Sequence, residues 1–180
     1  MPQIEIRPAI ATDIPLLVEM DHGYKSSYVW QMDLVSEDGQ MGVQFREIRL
    51  PRPVRVEYPR SYRSLMEDWT RRSAVLVGLD SAGARVGYIS VSEQISPTTA
   101  WVTDLVVTPE ERRQGIATAL VLAAQDWARQ RNNRRIILEM QSKNTPSVHL
   151  AQKLGYEFCG YNDHYFTNQD IALFFAQFLR

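Results

Sequence analysis

A short basic segment of the chain has the composition of a phosphate-binding loop. It runs from Arg112 through Arg113 and Gln114 to Gly115 and Ala117, directly before a long stretch with helical apolar spacing. The first backbone N–H groups of a helix have no partner within the helix, and together with the helix dipole they attract anions. Gly115 and Ala117 leave room for a phosphate, and the two arginines add positive charge. These residues predict a site for a phosphate-bearing ligand, although a plain helix start with exposed arginines fits the same pattern.

Hydrophobic spacing indicates the elements that must position this segment. Residues 99–107 are typical of a strand, and residues 113–130 form the clearest helix, with Gly115 inside its first turn. A nearly all-apolar strand follows at 136–140, of the kind that is buried on both faces. A second helix is expected from about 146 to 154, so the predicted loop and this helix flank two neighbouring strands.

The rest of the chain predicts mainly strands. Pro51, Pro53 and Pro59 predict a stretch without regular structure. The order of elements predicts a mixed α/β fold, with a mostly antiparallel central sheet flanked by helices. The other expected elements are strands over 4–7, 74–79, 85–94, 156–161 and 170–179, two strands within 27–50, and short helices over 14–20 and 62–69.

Two blocks of sequence fit together as a pair of motifs. The block at 112–117 reads Arg-x-x-Gly-x-Ala, and the block at 144–158 begins Asn-Thr-Pro-Ser and ends Lys-Leu-Gly-Tyr-Glu-Phe. They resemble the pyrophosphate motif and the second cofactor-binding helix of the GNAT superfamily of N-acetyltransferases. The strand at 104–107 is similar to the central strand of that family. The resemblance covers about residues 85–161 and implies the GNAT acyl-CoA N-acyltransferase fold.

The resemblance implies acetyl-CoA as the cosubstrate, and the residues themselves predict no metal. The pantetheine arm would pair with the main chain of one strand, which is recognition that tolerates many side chains. The backbone amides from Gln114 to Thr118 would hold the pyrophosphate, and Asn144 would contact the pantetheine or cap its helix. The implied cofactor residues are Leu105, Val106, Val107, Arg112, Arg113, Gln114, Gly115, Ile116, Ala117, Thr118, Asn144 and Ser147.

In the family the strands around Val107 and Ile136 splay apart, and a primary amine attacks the thioester directly in the resulting cleft. A neutral amine is needed, so a base must accept a proton. Asp104 is the first candidate for that base. Glu139 is the second, because it interrupts an apolar strand that borders the same cleft. Either carboxylate could instead be paired with an arginine.

The chain departs from the family at Ala151, where many relatives carry a tyrosine that protonates the leaving thiolate. Tyr165 is the candidate that we place in this role, with Tyr156 and Tyr161 as alternatives, and the thiolate could also leave unaided. Cys159 is the only cysteine, and we expect a buried structural thiol rather than a nucleophile. The three histidines are too scattered in sequence to predict a metal site.

Residues 20–60 are expected to supply the acceptor side of the cleft. Tyr28 and Trp30 are the predicted substrate-binding residues. With Tyr24, Asp21 and Asp33 they could line an aromatic and acidic pocket for a cationic amine, although these aromatics could simply be buried under a hairpin. The segment 138–141 and the final strand resemble the streptothricin acetyltransferase branch of the family. Thr103 departs from that branch, because a glutamate usually precedes the strand aspartate there.

The bulk properties fit one ordinary domain. A chain of 180 residues can bury a core without metals or disulfides, and a net charge of −1 does not draw it onto nucleic acid or an anionic membrane. The start of the chain lacks a signal-peptide pattern, and the longest apolar stretch, 171–179, is too short to span a bilayer. We therefore expect a cytoplasmic protein. Its expected organisation is one GNAT domain over 1–180, with an acceptor-side region at 1–72, an acetyl-CoA-binding core at 73–161 and a closing strand at 162–180.

Other functions fit the sequence as well. The acceptor could be a protein or peptide amine rather than a small molecule. The absence of the usual tyrosine at Ala151 is compatible with a protein that binds acetyl-CoA without transfer. A locally arginine-rich stretch over 46–72 could contact RNA or an acidic partner, but interspersed acidic residues dilute its charge, so nucleic acid is not expected. A homodimer is compatible with the sequence.

Overall fold

A computed structural model describes residues 4–180 of the chain. Residues 1–3, where the signal-peptide argument and the predicted region 1–72 begin, lie outside that range. No helix among the described residues is long and apolar enough to cross a membrane. The strands are β1 (Glu5–Pro8), β2 (Tyr24–Glu37), β3 (Gln40–Val56), β4 (Ala74–Leu79), β5 (Arg85–Ser92), β6 (Thr99–Val107), β7 (Arg135–Gln141), β8 (Glu157–Asn162) and β9 (Ala172–Phe178). The α-helices are α1 (Ile14–Glu19), α2 (Arg63–Asp68), α3 (Ile116–Gln130) and α4 (Thr145–Lys153).

One large sheet organises the molecule, in the strand order β1-β4-β5-β6-β7-β9-β8, while β2 and β3 form a separate hairpin. Among the described strands only β6 and β7 pair in parallel. Leu120 and Ala124 of α3 are buried on one face of the sheet, and Leu17 of α1 and Leu65 of α2 are buried on the other. This arrangement confirms the predicted mixed α/β fold with a mostly antiparallel sheet flanked by helices.

Strands β6 and β7 separate part-way along their length. Their pairing joins Thr99–Val102 to Arg135–Leu138 and stops there within the described residues. On the other edge of β6, Val102 and Asp104 face consecutive residues of β5, so Thr103 is an extra residue. Such a bulge bends the strand that contains it. The splaying that the resemblance implied is therefore present, and it begins at the bulge.

The hairpin corrects one prediction about prolines. Pro51 and Pro53 lie within β3, whereas Pro59 lies in the loop before α2 as expected. The register between β2 and β3 shifts where residues 50–53 stand opposite Ser27 alone. The missing N–H groups of the two prolines therefore fall where the ladder of hydrogen bonds is already interrupted. The prediction that these two prolines exclude a strand was wrong.

A buried carboxylate ties the start of α1 to the sheet. The Asp13 side chain is fully buried and accepts hydrogen bonds from Arg7 at 2.7 Å, from the Ile10 N–H at 2.9 Å and from Arg85 at 2.9 Å. Chiefly because of the bond from Arg7, the pKa of Asp13 is lowered from 3.8 to about 2. The folded chain therefore stabilises the ionised form of Asp13 relative to its protonated form.

We expect Asp13→Asn to lower the free energy of unfolding at pH 7 by about 2 kcal/mol. A carboxyl group whose pKa is lower in the folded state stabilises the fold above about pH 4, and this stabilisation is lost as the pH falls to about 2. In urea unfolding, the difference between the two proteins should therefore shrink over that interval. The control is Asp33→Asn, which breaks an exposed pair with Arg46 and should cost less than about 0.5 kcal/mol. Equal effects of the two substitutions would contradict the prediction.

Candidate active site

A cleft opens where β6 and β7 diverge, with a cavity volume of about 60 Å³. Thr103 and Leu105 of β6 form one wall, and residues 138–141 of β7 form the other. The segment 58–60, which precedes α2, closes one side. Three residues of the second sequence block, at and after the start of α4, also line the cleft: Asn144, Ser147 and Leu150.

Asp104, the first predicted base, lies on β6 with only 4% of its side chain exposed. Its Oδ1 accepts a short hydrogen bond from the Tyr58 hydroxyl. Its Oδ2 accepts bonds from Arg72 at 2.6 Å and from the Thr103 hydroxyl at 2.9 Å. Arg72 also donates to the Ser90 hydroxyl at 2.8 Å. Asp104 is therefore paired with an arginine, which was the alternative that the sequence left open, and it meets the cleft through a tyrosine.

Glu139, the second predicted base, has a fully buried side chain on β7. Its Oε1 accepts a short bond from Arg60, and its Oε2 accepts bonds from the Trp101 indole at 2.7 Å and from the Tyr165 hydroxyl at 3.2 Å. The structure thus brings the predicted residues Glu139 and Tyr165 into contact. Burial is the main cause that raises the pKa of Tyr165, and the nearby Glu139 charge adds to it. Tyr165 is a proton donor at neutral pH.

Arg60 spans the divergence between the two strands. One of its terminal nitrogens donates to the Thr103 carbonyl of β6 at 2.9 Å, and the other donates to Glu139 of β7. The guanidinium also lies over the Phe166 ring, 5.2 Å from its centre. Burial alone would lower the pKa of Arg60, but the Glu139 and Asp104 charges outweigh it and raise the pKa. Side-chain bonds therefore connect β6 and β7 where their backbone pairing has stopped.

The predicted phosphate loop lies between β6 and α3. The helix begins at Ile116, and Gly115 is its N-cap in the left-handed conformation, with φ of 89°. Arg113 is also left-handed, with φ of 68°. The prediction that Gly115 lies inside the first helical turn was wrong by one residue, because a left-handed residue cannot continue a right-handed helix. The amides of the first turn, from Ile116 onward, still lack partners within the helix.

Arg112 has a structural task that the sequence did not reveal. Its side chain donates to three backbone carbonyls, those of Val107 at 2.9 Å, Gly23 at 2.9 Å and Asp21 at 3.2 Å. Burial is the main cause that lowers the pKa of Arg112. The side chain fastens the end of β6 to the loop before β2, so it contributes to the loop's shape rather than pointing at the helix start.

Asn144 caps α4, as one of its two sequence interpretations required. Its Oδ1 accepts a hydrogen bond from the Ser147 N–H at 3.2 Å. Both residues also line the cleft. The cap therefore fixes the start of α4 at the cleft wall and leaves the amide group of the side chain at its edge.

The structure places neither Tyr28 nor Trp30 in the lining of the cleft. The backbone there holds the hairpin against α4, since the Trp30 N–H donates to the Ser142 carbonyl at 2.9 Å and the Thr145 hydroxyl donates to the Tyr28 carbonyl at 3.0 Å. The expectation of a pocket around these two aromatics is therefore corrected. Tyr24, earlier on β2, does line the cleft, and its hydroxyl donates to Gln141 at 2.7 Å.

Comparison with known proteins decides the family. The model of the acetyltransferase (GNAT) family matches residues 43–156, which is more than half of the chain. The chain belongs to the GNAT acetyltransferase family. The predicted enzyme class, an acetyl-CoA-dependent N-acetyltransferase, is thereby confirmed.

Relatives of this GNAT chain agree with the assignment. It is 28% identical over 162 residues to a streptothricin acetyltransferase from Streptomyces lavendulae, which covers 87% of this chain and 82% of that protein. The crystal structure of nourseothricin acetyltransferase matches with a TM-score of 0.83 at 21% identity, over 99% of both chains. A Bacillus anthracis protein crystallised with acetyl coenzyme A matches with a TM-score of 0.76 at 17% identity, over 97% of this chain and 99% of that one. The resemblance to the family and to its streptothricin branch is confirmed.

Several residues of this GNAT cleft were not found from the sequence. Tyr58, Arg60 and Arg72 contact the two carboxylates, but they lie far from them along the chain and in a stretch that reads as a basic surface. His22 lines the cleft and has both ring nitrogens hydrogen-bonded. The sequence indicated only that each carboxylate could be paired with an arginine, and it did not indicate which arginine.

Cys159 lies on the edge strand β8, and it is exposed. The prediction that this thiol is buried was wrong, because one face of β8 is not covered by a helix in the way that the central strands are. Burial of part of the side chain is the main cause that raises the pKa of the thiol, which leaves it protonated and a weak nucleophile. Among the described residues, no cluster of three or more His, Cys, Asp or Glu side chains is arranged to hold a metal ion.

Proposed function

We propose that the protein transfers an acetyl group from acetyl-CoA to a primary amine of a small molecule, by direct attack of the amine on the thioester. The observation that carries this proposal is the cleft between β6 and β7, because the unpaired part of β6, the start of α4 and the Glu139 carboxylate border it together. The names of the streptothricin and nourseothricin relatives support an antibiotic-type amine as the acceptor.

The residues fit acetyl-CoA in three respects. The edge of β6 beyond Val102 is not paired to β7, so its main chain from Leu105 to Val107 can pair with the pantetheine arm. The amides from Gln114 to Thr118 surround the left-handed Gly115 and can bind the pyrophosphate. Asn144 and Ser147 stand at the wall of the same cleft. When bound, acetyl-CoA supplies the activated acetyl group as a thioester.

The two carboxylates are proposed to handle the protons of the reaction. The attacking amine must lose a proton, and Asp104 and Glu139 are the buried bases nearest to the divergence of the strands. Tyr165 donates to Glu139 and is proposed to protonate the leaving thiolate in place of the tyrosine that Ala151 replaces. Arg60 and Arg72 pair with the two carboxylates and hold them in position.

The acceptor is proposed to enter on the side that residues 22–60 build. His22, Tyr24 and Tyr58 line that side with Phe166. Aromatic faces of this kind attract cationic amines. A narrow cleft with aromatic walls favours a small polyamine over the bulky backbone of a folded protein.

The proposal is tested by incubating the purified protein with acetyl-CoA and one of three amines, namely streptothricin, an aminoglycoside or a short peptide with a free amino terminus. Release of coenzyme A thiol and the mass of the product are measured. We expect streptothricin to be acetylated at least about tenfold faster, in kcat/KM, than the peptide, which corresponds to about 1.4 kcal/mol of discrimination. Preferred acetylation of the peptide would overturn the small-molecule acceptor. Thiol release without an acetylated amine would overturn the transferase proposal itself.

A further inference from the structure

We propose that Tyr58 is the residue that takes the proton from the incoming amine, passing its own hydroxyl proton to Asp104 at the same time. This inference rests on the proposed function and assigns a further catalytic residue to the same cleft. A residue other than Asp104 must meet the amine, because the Asp104 side chain is only 4% exposed to the cleft and its surroundings.

Two residues of the cleft lining, Tyr58 and Thr103, donate hydroxyl hydrogen bonds to Asp104, and Tyr58 bonds the carboxylate oxygen that Arg72 does not contact. Arg72 and the Thr103 hydroxyl donate to Oδ2, and the Tyr58 hydroxyl donates to Oδ1. Arg72 cannot deliver a proton at neutral pH, because guanidinium stays charged. Tyr58 itself lines the cleft. In the proposed relay the Tyr58 oxygen donates to the carboxylate and offers a lone pair to an ammonium group bound in the cleft.

Tyr58 is built to relay a proton rather than to exist as an anion. Burial, followed by the charge of Asp104, raises the pKa of Tyr58 well above its usual value. The ring is held against His22, with 5.1 Å between the ring centres. A neutral, fixed hydroxyl that already donates to a carboxylate can accept one proton only while it releases another.

His22 does not compete for this proton. Its Nδ1 lies 2.7 Å from the Met20 carbonyl, which can only accept, so Nδ1 carries the ring proton. Its Nε2 then accepts from the Tyr88 hydroxyl at 2.9 Å. Burial is the main cause that lowers the pKa of His22, so the ring is neutral. The charged and titratable groups that face the Tyr58–Asp104 pair are His22, Arg60, Arg72 and Tyr88.

An N–H proton of the bound ammonium moves to the Tyr58 oxygen while the Tyr58 proton moves to Asp104, which becomes neutral. The amine nitrogen forms a bond to the thioester carbon, and the carbon–sulfur bond breaks to release the thiolate. The nitrogen loses a second proton, which neutralises the thiolate through Tyr165 or solvent, and Asp104 returns its proton through Tyr58 to solvent.

The experiment compares Tyr58→Phe with wild type in kcat/KM for streptothricin over pH 6.5 to 9.5. At about pH 7 we expect a loss of about 100-fold, typical of a lost general base. The variant can use only amine that is already deprotonated in solution, and that fraction rises about tenfold per pH unit below the pKa of an alkylamine, about 10. The difference in kcat/KM between wild type and variant should therefore shrink by about tenfold per pH unit as the pH rises. Acetyl-CoA affinity, measured by calorimetry, should stay within about twofold of wild type.

Tyr62→Phe is the matched control, because Tyr62 stacks on the same histidine at 5.3 Å and is 45% exposed. It should keep wild-type activity at every pH. A Tyr58→Phe deficit that is constant with pH would assign Tyr58 a purely structural role and overturn the relay, as would a loss below about fivefold. If the wild type is active and either of these two results is found, the relay is wrong but the proposed function stands. If the wild type acetylates no amine, both the proposed function and the relay are overturned.

Discussion

Replacing Gly115 with glutamate is expected to weaken acetyl-CoA binding at least about 100-fold, as measured by calorimetric titration. Gly115 is the N-cap of α3 with φ of 89°, a conformation that costs a residue with a side chain about 1 kcal/mol or more. The new carboxylate would also stand among the amides proposed to hold the pyrophosphate, where it repels the phosphate charge and occupies its place. A 100-fold loss corresponds to about 2.7 kcal/mol, so backbone strain alone does not account for it.

Gly83→Glu is the matched control for this experiment. Gly83 has the same left-handed conformation, with φ of 80°, and a side chain there meets nothing within 4 Å. Gly83 lies in the turn between β4 and β5, outside the proposed binding site. Its replacement by glutamate therefore introduces the same backbone strain and the same charge away from the pyrophosphate. The control should bind acetyl-CoA like wild type. Equal binding by the Gly115 variant would remove the pyrophosphate site from the start of α3.

The cofactor side of the cleft could be predicted from short stretches of the sequence. The loop at 112–117 and the helix cap at Asn144 each depend on residues within a few positions of one another, so spacing and capping rules identify them. Hydrophobic periodicity likewise located β6, α3, β7 and α4, since each buries one face or both. The one error of detail, at Gly115, came from treating a left-handed cap as part of the helix that it begins.

The acceptor side could not be predicted in the same way, because its contacts join distant parts of the chain. Tyr58 meets Asp104 across 46 positions, and Arg60 meets Glu139 across 79. The single-residue bulge at Thr103 also changes which residues of β6 face the same side, and periodicity assumes that alternation is unbroken. The aromatic residues of β2 were therefore assigned to the cleft on composition, whereas the structure uses Tyr28 and Trp30 to hold the hairpin.

Exposure of Cys159 illustrates the same limit for strands. The sequence Phe-Cys-Gly-Tyr looks like a buried strand by its composition, and only the topology shows that β8 is the last strand of the sheet. Phe158 in this strand is 50% exposed, although it contacts Phe45 of the hairpin. The burial of a residue in an edge strand depends on which other elements pack against that strand, and the sequence of the strand alone does not show this.

The second large effect is expected from Arg60→Ala, which should lower the free energy of unfolding by about 3 kcal/mol and the melting temperature by roughly 10 °C. The Glu139 side chain is fully buried, so removing its cation leaves an uncompensated charge. Urea unfolding at pH 7 measures the loss. Arg46→Ala is the control, because Arg46 forms an exposed pair with Asp33, and it should cost less than about 0.5 kcal/mol.

A second substitution separates the charge of Arg60 from its position between the strands. In the Arg60→Ala background, Glu139→Gln removes the uncompensated charge and should restore about 1 kcal/mol or more of stability. It cannot restore the bridge from the Thr103 carbonyl to β7, because the donor of that bond is the Arg60 guanidinium and alanine has none. Acetyl transfer should remain at least about tenfold below wild type although the protein is stable again, because the double variant lacks both the bridge between the strands and the proposed Glu139 base. Recovery of activity together with stability would mean that the backbone alone maintains the cleft, that Arg60 serves only to neutralise Glu139, and that Glu139 is not needed as a base.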